Sequence, residues 1–193
     1  LSGTTTFVVG GMETDQEDGE DEAVTFNYTT QLNLNTSFTG RDLLYTRIKT
    51  GNFVKNQTFS NKKTNTYLAA SNQNGDALKV DKIWYQFPVG DNLKFWVGPR
   101  VENYYMLASA PSIYKPVLKA FALGGNGATY GSSTDGGFGA AWVQSVEDRY
   151  QPRFAISTNY ASKGASKADN EGGGLLTDAQ SKWLTKVEYG SPR

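Results

Sequence analysis

The chain has 193 residues, and its 19 lysines and arginines balance its 19 aspartates and glutamates. This balance gives no support to nucleic-acid binding, which usually leaves a basic excess. Cysteine and histidine are both absent, which excludes disulfides, zinc sites built on these residues and histidine-based catalysis. The mean hydropathy is −0.52, and no run approaches the roughly 18 apolar residues of a membrane-spanning helix.

Alternating apolar and polar residues predict eight strands. In chain order they cover residues 4–12, 24–38, 43–53, 79–87, 93–101, 137–144, 153–160 and 182–189. The second strand is the clearest, because Phe26, Leu32, Leu34 and Phe38 fall on one face while amides and hydroxyls fill the other. A long strand with an apolar face and an uncharged polar face is typical of a membrane barrel wall, apolar toward lipid and polar toward a lumen.

The connections between the predicted strands alternate in length. Short ones lie at 39–42, 88–92 and 145–152, and long ones precede, separate and follow them. Outer-membrane barrels have long outer loops and short periplasmic turns. We therefore predict an all-β fold, a transmembrane antiparallel β-barrel.

Aromatic residues concentrate near both ends of the predicted strands, as in the two girdles of a membrane barrel. One set lies near the short turns and the other toward the opposite rim: Phe38, Phe87, Trp142 and Phe154, then Phe26, Tyr28, Phe53 and Tyr160. The alternative is the ordinary aromatic core of a β-sandwich.

The charges on the polar faces of the predicted strands are almost all positive. They hold the predicted pore-lining cations Arg47, Lys49, Lys82, Lys94, Arg100, Arg153, Lys182 and Lys186, against one carboxylate, Glu188. Fixed cations inside low-dielectric walls focus a positive potential and favour anions. A soluble sheet would also place lysine and arginine on its solvent-exposed face, but we would then expect that face to carry charges of both signs.

Two tryptophans share this polar face. Trp84 and Trp96 flank one short turn, beside Lys82 and Lys94, and aromatic faces next to charged donors suit the stacking of sugar rings. In the alternative, a loop covers the lumen and the tryptophans simply pack. The sequence leaves both open.

The longest connection, residues 102–136, has an apolar character that is unusual for a free loop. Long loops of this kind fold onto something, so we expect it to fold inward and constrict the lumen; an outer lid or a partner contact is the alternative. A short helix is predicted within 115–123. Pro99 is poorly tolerated inside a paired strand, so the fifth strand should end near Gly98 or carry a bulge, which would bring Arg100 to the rim.

Two polar stretches have simple interpretations. The acidic run 13–22 is expected to be a solvated outer loop, and its spacing fits no EF-hand register for calcium. The glycine-rich stretch 124–127 lacks the pattern of a phosphate loop and is expected to be a flexible connection.

Two strings carry a resemblance to a known family. They are LNLNTSFTGRDLL at 32–44, followed by Arg47 and Gly51-Asn52-Phe53, and WYQFPVGDN at 84–92. On these strings the chain resembles the OprB-like porins of cyanobacteria, the S-layer-homology-domain porins often labelled iron-uptake or carbohydrate-selective. The resemblance implies a barrel of about sixteen strands, preceded by a periplasmic S-layer-homology domain and a coiled coil. Residues 1–193 would then be part of the β-barrel porin domain.

The expected function is passive diffusion of small hydrophilic solutes and ions through a basic-lined lumen in the bacterial outer membrane. The expected partners are membrane lipid and small solutes or inorganic ions, with homo-oligomers left open, peptidoglycan contact only through the N-terminal domain, and no nucleic acid. We expect no enzyme activity, catalytic residue, cofactor or metal. The alternatives are a soluble β-sandwich carbohydrate-binding module and a small non-conducting barrel of eight strands.

Overall fold

The computed structural model describes residues 1–13, 23–63, 65–123, 129–130, 135–148, 150–168, 172–176 and 180–191. These residues form eight strands and three short 3-10 helices, with no α-helix among them. No helix in the described ranges is long and apolar enough to cross a membrane. The expectations for the acidic run from residue 14 onward and for the glycine-rich stretch 124–127 lie outside the described residues.

The strands confirm the all-β prediction, each within two residues of its predicted bounds. They are β1 Ser2–Gly10, β2 Thr25–Thr36, β3 Leu43–Gly51, β4 Lys79–Val89, β5 Leu93–Arg100, β6 Gly136–Val143, β7 Arg153–Ser162 and β8 Ser181–Gly190. They form one antiparallel sheet in the order β1 to β8, so every strand neighbours its successor in the chain. In this order β1 and β8 are the edge strands, and the sheet is not closed among the described residues.

The alternation of connection lengths is also confirmed. Short turns at 37–42, 90–92 and 144–152 alternate with long connections at 11–24, 52–78, 101–135 and 163–180. The predicted helix within 115–123 is a single 3-10 turn, Lys119–Phe121.

The sheet distributes its apolar and polar side chains in the opposite way to a soluble protein. Apolar side chains on one face are exposed, among them Phe26, Trp183 and Val187, whereas the opposite face buries Ser157 and Asn159. Soluble domains bury apolar residues and expose polar ones. Exposed apolar walls with polar interiors are the arrangement of outer-membrane strands, and a single sheet with this sorting does not match the sandwich alternative.

Residue contacts divide the chain into two units. The first comprises 1–34, 46–81 and 114–126. Here the long connection 52–78 folds back on the strands: Thr29 Oγ1 donates to the Ala70 carbonyl at 2.6 Å, and the Phe53 amide donates to the Asn72 carbonyl at 3.1 Å. A bridge between Leu68 and Leu118 fixes part of the loop after β5. At Thr29 the polar side of this unit is therefore covered by its own loop.

The second unit comprises 35–45, 82–113 and 127–193. Its apolar core lies between the sheet and the start of the loop after β5, and consists of Trp84, Trp96, Val101, Met106, Ala141 and Ala161. The two predicted tryptophans are thus core residues of this unit.

The short turns of the second unit are linked by side chains. Arg41, in the first turn, donates to the Gly90 carbonyl at 3.1 Å in the second. Asn92, in the second, donates to the Val143 carbonyl at 2.7 Å and to Ser145 Oγ at 2.8 Å, where the third turn begins. Both family strings contribute to this series, so they encode the short-turn rim.

Aromatic rings form a band beside that rim. Successive centroid distances are 6.3 Å for Phe38 and Tyr85, 5.6 Å for Tyr85 and Phe87, and 5.7 Å for Phe87 and Phe95. Rings at this level of a barrel wall sit at the membrane–water interface.

Candidate functional site

The candidate site is the polar face of the second unit, called the inner face here. It carries Lys82, Trp84 and Trp96 from β4 and β5, and Ser157 and Asn159 from β7. Strand register puts them on one face, because Gln86 lies opposite Trp96, Trp96 opposite Gly139, and Gly139 opposite Asn159. Directly opposed residues of an antiparallel pair share a face.

Residues 101–109, the covering segment, lie on the inner face. Asn159 Nδ2 donates to the carbonyls of Asn103 at 3.0 Å and Met106 at 3.2 Å. Ser157 Oγ accepts from the Ala108 amide at 3.0 Å. The predicted inward folding of the long loop is confirmed for this segment. That it narrows a passage stays a prediction.

The inner face accommodates the covering segment because its residues there are small. A Cβ on Gly139 would lie 2.8 Å from Asn159 Cβ and 3.0 Å from Met106 Cβ. Ala141 and Ala161 complete this surface and are buried. Glycine in a strand often marks such a close approach.

Lys82 forms a buried ion pair with Glu102. Its Nζ lies 2.5 Å from Glu102 Oε1, and its side chain is only 1% exposed. Glu102 lies at the start of the covering segment, so the pair joins strand β4 to that loop. The sequence prediction placed Lys82 correctly on the polar face, but could not show that a loop carboxylate neutralises it.

A second ion pair ties down the other end of the covering segment. Lys186 Nζ lies 2.6 Å from Glu188 Oε1 and donates to Ser109 Oγ at 3.2 Å. Ser109 Oγ also bonds Glu188. Two residues of β8 therefore hold residue 109, while Lys82 holds residue 102.

Arg47, in the first unit, is paired as well. Its guanidinium donates from Nε to Asp81 Oδ2 at 2.6 Å. The alternation of β4 groups Asp81 with Ile83 on the apolar side, so strand pattern alone missed this partner. Arg47, Lys82 and Lys186 thus each form an ion pair with a carboxylate.

For Arg100 the predicted face is wrong. Tyr85 lies opposite Val97, but Ile83 lies opposite Arg100, so β5 contains one extra residue at a bulge. This confirms the bulge expected from Pro99. It puts Arg100, which is exposed, on the face of Ile83 rather than that of Trp96.

The remaining four cations are less deeply placed. Lys49 lies in the first unit and is half-buried, Arg153 and Lys182 are half-buried at the starts of β7 and β8, and Lys94 is exposed. Lys94 Nζ lies 5.8 Å from the centroid of the Trp96 ring, within range of a cation–π interaction.

The tryptophans are packed rather than open. Trp84 lies between Tyr45, at 4.1 Å between centroids, and Tyr105, at 5.0 Å. Trp96 is 4% exposed, and its Nε1 donates to Gln86 Oε1 at 2.9 Å. This arrangement is the packing alternative of the sequence analysis, and it leaves no open face of Trp84 for a sugar ring.

Sequence reasoning missed the role of three loop tyrosines, Tyr104, Tyr105 and Tyr130, near Trp84. The Tyr104 ring packs against Tyr105 in a tilted arrangement, with centroids 4.8 Å apart, and meets Tyr130 edge-on at 5.9 Å. All of these tyrosines are half-buried. Their positions in a loop gave no periodic signal, although the apolar character of that loop did.

A model of the OprB family, described as carbohydrate-selective porins, matches residues 2–187. The chain belongs to the OprB family. This is a porin family of the outer membrane, and the chain is an outer-membrane protein. An uncharacterized protein of Synechocystis sp. (strain ATCC 27184 / PCC 6803 / Kazusa) is 36% identical over 101 residues, which cover 51% of this chain and 18% of that relative. No solved structure matches the chain.

Proposed function

We propose that the chain forms part of a channel wall through which small hydrophilic solutes, carbohydrates among them, diffuse passively across the outer membrane. The observation that carries this is the inside-out sorting of the sheet, with apolar side chains exposed on one face and Lys82, Ser157 and Asn159 buried on the other. The exposed apolar face suits lipid, and the polar face, on which the covering segment lies, suits the interior of a porin.

The edges of the sheet support a larger wall. Lipid offers no hydrogen-bond partner for the free backbone groups of an edge strand. The β1 and β8 edges are best explained by further strands of the same porin, rather than by a small barrel of eight strands.

A preference for anions is part of the proposal, in a weaker form than eight unpaired cations would give. Arg47, Lys82 and Lys186 face carboxylates, and Arg100 leaves the inner face. Lys94 and Arg153 remain as inner-face cations of the second unit.

The test is the reversal potential of the intact porin in a planar bilayer under a KCl gradient. We expect a modest chloride preference, which Lys94→Gln reduces and Lys115→Gln, in an exposed loop position, leaves unchanged. A strong potassium preference would contradict the basic lumen while leaving the channel intact. Absence of conductance would contradict the channel itself.

A further inference from the structure

Aromatic rings of the second unit form a continuous row from the sheet into the long loop, called the aromatic row here. It begins with Tyr45 of β3 and Trp84 of β4, whose centroids lie 4.1 Å apart. Tyr105 of the covering segment stacks on Trp84 at 5.0 Å. Tyr104 packs against Tyr105 at 4.8 Å, and Tyr130 meets Tyr104 at 5.9 Å. The row therefore starts on the inner face and continues into the loop that covers this face.

Burial divides the aromatic row into a core part and an outer part. Trp84 is 6% exposed and belongs to the apolar core, and Tyr45 and Tyr105 pack against that core. Tyr104 and Tyr130 lie beyond these rings and are half-buried. Tyr45 and Tyr105 already cover the two sides of Trp84, so the packing of the core does not by itself account for the last two rings.

Tyr104 and Tyr130 form a corner that is held in place from both sides. Their ring planes meet at 85°, so one ring contributes its edge and keeps its faces outside this contact. Asn103 Nδ2 donates to the Thr129 carbonyl at 2.8 Å, which joins the residues directly before the two tyrosines. Asn103 is fully buried, and its own carbonyl accepts from Asn159 of β7 at 3.0 Å. The corner is therefore fixed to the sheet, and a fixed site loses less entropy when it binds.

A corner of two tyrosines matches the chemistry of a pyranose sugar. The ring of such a sugar has a face of C–H bonds with a slight positive charge, and the face of an aromatic ring is negative. The rim of the sugar carries hydroxyls, and a tyrosine hydroxyl can donate to them or accept from them. A second aromatic ring at a right angle borders the sugar that stacks on the first. An acyclic polyol has the same hydroxyls but no such face.

We propose that the corner of Tyr104 and Tyr130 is a subsite that binds one pyranose ring of a passing carbohydrate by stacking. The inference rests on the proposed passage of carbohydrates and adds the residues that recognise them. It places aromatic recognition two rings further along the row than Trp84, whose own faces are covered by Tyr45 and Tyr105.

Block of the ion current by glucose, measured on the intact porin in a planar bilayer, tests this subsite. Glucose is titrated at a fixed KCl concentration, and the half-saturating concentration is read from the fall in conductance. Sorbitol, an acyclic alcohol with the same number of carbons, is the control solute. We expect saturable block by glucose, and with sorbitol only the gradual decrease that higher viscosity causes.

Variants of the corner separate stacking from packing. Tyr104→Leu keeps an apolar side chain without an aromatic face and should raise the half-saturating glucose concentration roughly fivefold. Tyr104→Phe keeps the face and should stay within about twofold of wild type. Tyr114→Leu is the matched control, because Tyr114 lies in the same long connection and is 81% exposed. It should leave the block unchanged, and conductance in KCl alone should persist in every variant.

The results distinguish the subsite from the channel. A conducting wild type that glucose blocks no more than sorbitol does would overturn the subsite and leave the channel intact. Equal glucose block in wild type and Tyr104→Leu would place the sugar elsewhere and also overturn the assignment. If Tyr104→Leu does not fold, Tyr130→Leu provides the same comparison. Absence of conductance in wild type would instead contradict the channel on which the subsite rests.

Discussion

The Tyr85 hydroxyl donates a 2.7 Å hydrogen bond to Asp42 Oδ2, joining the start of β3 to the wall strand β4. Asp42 Oδ1 also accepts from the amide of Thr39 at 2.8 Å and from Ser37 Oγ at 2.7 Å. One carboxylate therefore closes the turn within LNLNTSFTGRDLL and fixes it to the WYQFPVGDN segment. This explains physically why the first string ends its turn with an aspartate.

Replacing Asp42 should loosen the short-turn rim. In Asp42→Asn the side chain keeps its size but loses the charge that strengthens each of these hydrogen bonds. We expect the temperature at which the folded porin loses its heat-modifiable gel mobility to fall by several degrees. Asp91→Asn is the matched control, because Asp91 is 88% exposed and makes only a 3.4 Å pair with Arg41. Equal effects of the two variants would contradict a special role for Asp42.

The same carboxylate predicts a pH dependence. Burial raises the pKa of Asp42, but its hydrogen bonds outweigh burial and hold the pKa well below its usual range. A depressed pKa stabilises the fold above the unfolded-state value, about 3.9, and this stability is lost as the pH falls toward the folded-state value. Wild type should therefore exceed Asp42→Asn in stability at neutral pH, and the gap should shrink below about pH 3.9. Thermal scans from pH 7 to pH 2.5 check this. A gap that stays constant would contradict it.

The sequence predicted the strands better than the site, for a physical reason. Strand bounds follow from period-2 alternation and turn residues, so β2 and the turn at Asp42 could be read directly. The carboxylate partners of the cations could not be predicted in this way. Glu102 lies in a loop with no periodicity, and the alternation of β4 places Asp81 among the apolar-face residues. Arg100 shows the remaining difficulty: one extra residue at a bulge reverses a face. Pro99 indicated that a bulge was possible but not which side would receive the arginine.

Breaking the pair between Lys82 and Glu102 should cost far more than breaking an exposed one. Removing one partner leaves a buried charge uncompensated, which typically costs about 3–5 kcal/mol. Lys82→Met and Glu102→Gln should each lower the free energy of unfolding in urea by an amount of this order. The double variant should recover part of the loss, because it leaves no unpaired charge. Additive losses in the double variant would show that the two side chains are not coupled.

The fit of the covering segment against Gly139 can be tested with one added carbon. Gly139→Ala introduces a Cβ at 2.8 Å from Asn159 Cβ and 3.0 Å from Met106 Cβ, so the segment or strand β7 must shift. Overpacking of this kind costs about 1–3 kcal/mol. Liposome swelling with a series of sugars from one to four rings should show a changed size cutoff, because the segment would no longer lie against the wall. Gly190→Ala is the control, since a Cβ there meets nothing within 4 Å. Unchanged stability and an unchanged cutoff in Gly139→Ala would show that the covering segment is free to yield and does not limit solute size.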